Sequence, residues 1–392
     1  MRAFVLGLLL FALHGAAFAA EPDPVSGTLV LRHRAADEWR AYYRFDEAVD
    51  AVELGPPVVA FRSKAWTVLT RGVSLATKDG NESLRAEGKP FRAVAIDVRQ
   101  YDAWAHDAYV PMDRHSDGGT AIYLGHFMGR VRQRGVERNL QLRIELQGLG
   151  DETAFLPEEA NHDLGVYAYF GPQQVVDAGR LRTLVDPATP AWIRAALSDT
   201  AARVAAVYEA KLGRPAPTTL ALMVGAKGLE QPGYSIKGGA LPGQVVYKLE
   251  GSDLKQESPD GRRRLQQLVA HELAHVWQGL VARGGIGETQ AWVHEGGAEA
   301  LSLLALRESG LWADEQVVAH AQSLVAECRA AEAKRAADPA TEATWRDNYT
   351  CGYARFADSG VDAFTMWRRL MARTEASGEP YSEAMFDAAL AD

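Results

Sequence analysis

The sequence predicts an α+β protein in which a β-rich, sandwich-like N-terminal part precedes a mostly helical part with a small edge sheet. Two patterns predict it. Before about residue 165 the apolar residues fall in short strand-length runs broken by turn signals, whereas beyond it they recur at three- and four-residue steps. The length of 392 residues agrees, since at ~100 to 200 residues per domain it asks for two or three domains with cores of their own. The expected divisions are a leader at 1–20, a β-rich domain at 21–165 and a helical domain at 166–392.

Arg2 precedes an apolar run from Phe4 to Leu13, and small residues from Ala16 to Ala20 follow, with Ala17-Phe18-Ala19 as the best cleavage match. The run is shorter than the ~20 residues of a spanning helix, and no cysteine follows that could carry a lipid. The expectation is an exported protein, periplasmic or secreted, and bacterial by its short leader and Ala-rich usage. No later stretch is predicted to span a bilayer, because even Leu265 to Val281 is interrupted by His, Glu and Gln. Composition narrows the function: 42 Lys plus Arg against 51 Asp plus Glu give a net charge of -9, without the basic balance expected of a nucleic-acid binder. The sequence leaves the oligomeric state open.

In the first part, residues 28–31, 58–61, 91–96 and 140–146 read as strands, with turns at Lys78-Asp79-Gly80-Asn81 and Ser116-Asp117-Gly118-Gly119. The second part opens with a helix over 190–212, continues through strands at 220–224 and 244–249, and then reads as helices at 262–281, 290–308, 313–336, 361–374 and 382–390. Cys328 and Cys351 are the only cysteines, and in an exported chain an even count predicts one disulfide, two buried thiols being the alternative.

His271-Glu272-Leu273-Ala274-His275 falls within the helix expected over 262–281. Positions i and i+4 project from one helical face, so both imidazoles can meet one tetrahedral ion while Glu272 stands beside its open position. Burying these groups among Leu268, Val269, Leu273 and Val276 leaves several polar atoms to satisfy, which a Zn2+ ion does most simply. A catalytic zinc takes three protein ligands and a water. Glu295, in Trp292-Val293-His294-Glu295-Gly296-Gly297-Ala298-Glu299-Ala300, is the expected third ligand. His294 competes for that place, but adjacent helical residues point about 100° apart, so one ion does not take both. Glu299, one turn beyond Glu295, is positioned to accept the second ring N–H of a ligating histidine.

The order HELAH, then WVHEGGAEAL, then Tyr349-Thr350-Cys351-Gly352-Tyr353 resembles the gluzincin zinc metallopeptidases, particularly the aminopeptidase N and glycyl aminopeptidase families. The resemblance covers about residues 165–392 and implies a thermolysin-like catalytic domain. It implies zinc on His271, His275 and Glu295, Glu272 as general base and Tyr349 as the hydrogen-bond donor to the developing oxyanion. Nineteen residues separate His275 from Glu295, one more than those families usually have, and a loop insertion around 284–287 would absorb the extra residue. Those aminopeptidases also carry a strand whose glutamate grips the substrate's free amino terminus. Here the corresponding place, Lys237-Gly238-Gly239-Ala240-Leu241-Pro242-Gly243, has no carboxylate. Main-chain groups of Gly238, Gly239 and Ala240 can still pair with an extended peptide, a glycine-rich turn being the plainer reading.

The expected function is therefore hydrolysis of peptide bonds, with an endopeptidase favoured over an aminopeptidase. The alternative is a non-catalytic protein that keeps the zinc fold as a scaffold for a cell-envelope partner. Asn348-Tyr349-Thr350 also matches a glycosylation sequon, set aside because a glycan there would obstruct the cleft. Arg262-Arg263-Arg264 reads as a solvated face or a partner to acidic surface, and Trp104, His106, Asp107, His115 and His126 are too irregularly spaced for a second metal site.

Overall fold

The computed structural model describes residues 22–55, 61–101, 110–158, 165–215, 219–281, 290–338 and 340–392. The leader, Trp104, His106, Asp107 and the 284–287 loop lie outside the described residues, as do residues 58–60 of one expected strand. Phe61, its last residue, instead opens the short helix α1 (Phe61–Ala65).

The N-terminal strands are β1 (Val25–Ala35), β2 (Glu38–Val49), β3 (Ala51–Leu54), β4 (Trp66–Val68), β5 (Val73–Lys78), β6 (Asn81–Ala86) and β7 (Phe91–Arg99). They continue as β8 (Met112–Arg114), β9 (Thr120–Tyr123), β10 (Gly129–Gln133), β11 (Val136–Gln147), β12 (Thr153–Phe155) and β13 (Tyr167–Gly171). Among the described residues they form a nine-stranded sheet ordered β4-β7-β2-β1-β11-β10-β3-β6-β5 and a four-stranded sheet ordered β12-β13-β9-β8. Inward residues of both sheets, including Trp39, Tyr43, Ile96, Ile122 and Tyr169, share one core. Alternation is clear in β2, where Trp39, Ala41, Tyr43 and Phe45 point inward between more exposed residues, whereas β13 is buried throughout. The expected turn at 78–81 joins β5 to β6, with Asp79 and Gly80 both at positive φ, the conformation a tight hairpin requires.

Pairing changes sheets between Gly171 and Val176. A five-stranded sheet ordered β14-β15-β16-β18-β17 follows, from β14 (Val176–Ala178), β15 (Leu181–Val185), β16 (Leu220–Ala226), β17 (Ser235–Leu241) and β18 (Gln244–Glu250). The β14–β15 hairpin was not expected. β16, Leu220-Ala221-Leu222-Met223-Val224-Gly225-Ala226, is buried throughout. Its Leu220, Leu222 and Val224 join the helical core, while Ala221 and Met223 join the N-terminal core. An unbroken apolar run is what a strand covered on both faces requires.

The helices are α2 (Ala191–Leu212), α3 (Pro259–Gln278), α4 (Ala291–Glu308), α5 (Asp314–Ala337), α6 (Trp345–Asp358), α7 (Ala363–Ser377) and α8 (Glu383–Leu390). α3 begins at Pro259, three residues before the expected start. The Ser258 side chain caps it by accepting from the Gly261 amide at 3.0 Å, and Pro259 lacks the N–H that would otherwise need a partner. Leu265, Val269, Leu273 and Trp277 form its buried stripe, and α2 locks onto it through the Tyr208 hydroxyl, which donates to the Ala270 carbonyl at 2.7 Å. The arginine run at its start is paired: Arg262 with Glu257, Arg263 with Asp260, and Arg264 over the Tyr234 ring. α6 was absent from the expected helices. The structure thus has a large β-rich N-terminal domain followed by a helical C-terminal domain, as the sequence predicts. Among the described residues no helix is long and apolar enough to cross a membrane.

Candidate metal centre

Helical spacing places His271 and His275 on the same face of α3, and α4 crosses so that Glu295 closes a triangle with them. His271 Nε2 lies 3.0 Å from His275 Nε2, and Glu295 Oε2 lies 3.2 Å from the first and 3.3 Å from the second. Three such atoms repel one another unless a proton or a cation lies among them. With no ion present, burial lowers the affinity of His271 for a proton, but Glu295, Glu299 and Glu272 outweigh it and raise its pKa to about 9. Burial likewise pushes Glu295 up, and the two imidazoles overcome this to hold it far below the usual carboxylate range. Ligands 2.0–2.1 Å from a tetrahedral zinc ion are about 3.3–3.4 Å apart. Two sides of the triangle, at 3.2 and 3.3 Å, come close to that spacing and the third, at 3.0 Å, is shorter, while the donor set of two imidazoles and one carboxylate suits zinc.

Glu272 follows His271 on the helix and is buried, which pushes its pKa above the usual carboxylate range. Strand β17 passes directly over it. A Cβ on Gly238 would stand 2.6 Å from Glu272 Cγ and 2.8 Å from Oε1, so glycine is required for the strand to approach this closely. Gly238, Gly239 and Ala240 pair with Tyr247, Val246 and Val245 of β18, and β17 is the outermost strand of its sheet among the described residues. The glycine-rich turn reading of this segment gives way to an edge strand.

Two further helical contacts bring Tyr349 to the site. Gly296, next to Glu295, and Gly352 on α6 meet backbone to backbone, such that a Cβ on Gly296 would stand 2.2 Å from the Gly352 carbonyl carbon. One turn before Gly352, the Tyr349 ring stacks on His271 with centroids 5.4 Å apart. Burial, then the nearby Glu295 carboxylate, push its hydroxyl well above the ordinary phenol value and keep it protonated. Gly297 serves a different contact, fitting against the Trp367 indole. Cys328 on α5 and Cys351 on α6 are joined by a disulfide, with Cα atoms 4.9 Å apart.

Glu299 Oε1 lies 3.6 Å from His271 Nδ1, and its Oε2 accepts from Gln267 Nε2 at 2.6 Å. The His294 ring stands outside the ligand triangle, stacked on His275 with centroids 4.0 Å apart. Gln278, which the sequence reading missed, stands beside His275: its Oε1 is 2.6 Å from His275 Nδ1 and its Nε2 donates to the His294 carbonyl at 3.1 Å. Gln267 and Gln278 were missed for the same reason. Their signal is spacing alone, four residues before His271 and three after His275 on the same helix.

Elsewhere, His115 packs against Tyr169 and His126 lies between Phe61 and Tyr123, so neither approaches this centre. The second cluster of metal-capable groups among the described residues, Cys328, Glu332 and Cys351, has both sulfurs in the disulfide.

The architecture has solved counterparts. The structure of an aminopeptidase N family protein from Idiomarina loihiensis superposes with a TM-score of 0.57 at 12% identity, over 93% of this chain and 70% of that one. This chain shares the fold of that protein. An M1 zinc metallopeptidase from Deinococcus radiodurans overlaps with a TM-score of 0.49 at 15% identity, over 94% of this chain and 89% of that one. No protein-family model matches the sequence, and no curated protein matches it significantly. At 12% identity the likeness to the first establishes the fold, within which α3, α4, α6 and β17 hold the residues described above.

Proposed function

We propose that this protein is a zinc-dependent peptidase, the reading carried by the closed triangle of His271, His275 and Glu295 with Glu272 buried at its side. His271, His275 and Glu295 would hold the zinc ion, which when bound would supply Lewis-acid polarisation and a more acidic water. Glu272, whose burial favours proton uptake, takes the proton of the attacking water and returns one to the departing amine nitrogen. Tyr349 donates a hydrogen bond to the carbonyl oxygen as negative charge develops there. Glu299, 3.6 Å from His271 Nδ1, is the carboxylate placed to accept that N–H on a small closing shift of the ring.

We favour an endopeptidase over an aminopeptidase, because the strand above Glu272 presents no carboxylate for an α-amine. Export follows as part of the same proposal: the leader at 1–20 directs the chain to the periplasm or medium, where the Cys328–Cys351 bridge persists. The proposed domains are residues 21–165 and 166–392, a division that falls just before β13, whose residues still pair with β9 of the N-terminal part.

Glu272→Gln should retain one zinc per chain by metal analysis and lose nearly all turnover on a peptide library. Equal cleavage by variant and wild type rejects the mechanism. Comparing free and acetylated amino termini tests the finer reading, since an aminopeptidase leaves the acetylated set intact. Zinc bound by a wild-type chain that leaves every peptide uncut supports the scaffold instead.

A further inference from the structure

Gln278 is fully buried, and both ends of its amide are engaged. Which end is which follows from elementary chemistry. The His294 group it meets is a backbone carbonyl, which only accepts, so the amide nitrogen must face it. The amide oxygen then faces His275 Nδ1 at 2.6 Å, and because that oxygen only accepts, Nδ1 carries the proton. A neutral imidazole protonated at Nδ1 has its lone pair on Nε2, the atom in the triangle with His271 and Glu295.

The same amide joins both helices that carry the proposed ligands. It is anchored on α3, three residues beyond His275, and ends on α4 at the residue immediately before Glu295. Its main chain is fixed as well: Tyr381 donates through its hydroxyl to the Gln278 carbonyl at 2.8 Å, which satisfies one of the carbonyls a helix leaves open at its C-terminal end. The His294 ring, stacked on the other histidine, restrains the plane in which His275 turns.

We infer that Gln278 is a positioning residue of the metal centre, which sets the tautomer of His275 and holds the α4 turn bearing Glu295 at ligand distance. The inference rests on the zinc reading above. Glu299 stands on the corresponding side of His271, but at 3.6 Å from Nδ1 it lies beyond hydrogen-bond distance, so the amide behind His275 is the closer support of the two rings.

The experiment measures zinc affinity of the full chain by competition with a chromophoric chelator, alongside the melting temperature of each metal-free form. Gln278→Met keeps the volume and removes both hydrogen bonds, and should bind zinc roughly 10- to 100-fold more weakly than wild type. Gln278→Glu restores an acceptor for His275 Nδ1–H and should recover most of that loss, while the visible spectrum of its cobalt-substituted form stays close to that of wild type. Gln278→Asn, too short to reach both partners, carries the same expectation as Met and stands in for it if Met does not fold. Wild-type affinity in Gln278→Met or Gln278→Asn overturns the inference. So does equal weakening in the Glu variant, which shows that an acceptor at His275 Nδ1 is not what the residue supplies. A wild-type chain that binds no zinc is a separate result, which overturns the metal reading and the role of Gln278 with it.

Discussion

Tyr349 is held over His271 by ring stacking and kept protonated by burial beside Glu295, so its hydroxyl is a fixed donor. Its chemistry predicts a particular kinetic signature. Tyr349→Phe keeps the stack and loses the donor, so kcat and kcat/KM should fall together by roughly 100- to 1,000-fold, or about 2.7–4 kcal/mol, with zinc content unchanged. A rise in KM with kcat preserved would assign the hydroxyl to ground-state binding. At this scale the grouping of His271, His275 and Glu295 was legible in the sequence, because two histidines four apart on a helix must share a face whatever surrounds them. Glu295 was legible through the chemistry that two histidines leave incomplete. Gln267 and Gln278 were not, since a glutamine on a polar helix face is ordinary, and only the packed structure shows both ends of its amide in use.

Helix α6 shows how an element can escape a local reading and still be essential. Asn348, Thr350 and Gly352 are weak helix formers, and the segment is instead supported by its neighbours: the disulfide to α5, the Gly296–Gly352 contact with α4 and the packing of Phe356. The glycine contact makes the segment sensitive to a single methyl group. In Gly352→Ala the new Cβ would lie 2.6 Å from the Trp292 carbonyl oxygen and 2.8 Å from Gly296 Cα, so the helices must separate. That strain costs on the order of 1–3 kcal/mol, opposed by an alanine propensity gain of at most about 1 kcal/mol. The expected outcome is a lower melting temperature and a loss of activity larger than the stability change accounts for, because Glu295 and Tyr349 lie on the two helices pushed apart. A variant as stable as wild type removes this contact from the account. By contrast, α3 could be placed from its apolar periodicity, but both ends were set three residues late: the first turn, defined by the Ser258 cap and Pro259, was missed, and residues 279–281 lie beyond its end at Gln278.

Across the whole molecule, the division into a β-rich and a helical part was readable because hydrophobic period changes from two to nearly four residues along the chain. The order of strands within the sheets was not, since the pairing of β1 with β11 joins segments far apart in sequence. Nor does the sequence show how far the two parts depend on each other. β16 contributes to both cores, so a chain begun at residue 166 would expose the face carrying Leu184, Ala221, Met223 and Leu241. Such a fragment should aggregate or bind a hydrophobic dye strongly, whereas the full chain should melt in one calorimetric transition. A soluble, dye-silent fragment with native zinc affinity would show that the seam matters little. If the seam behaves as its packing indicates, the helical part is not a portable module: recombination that separates it from its β-rich companion strands an oily surface in water, and the two must be acquired, folded and lost as one inheritance.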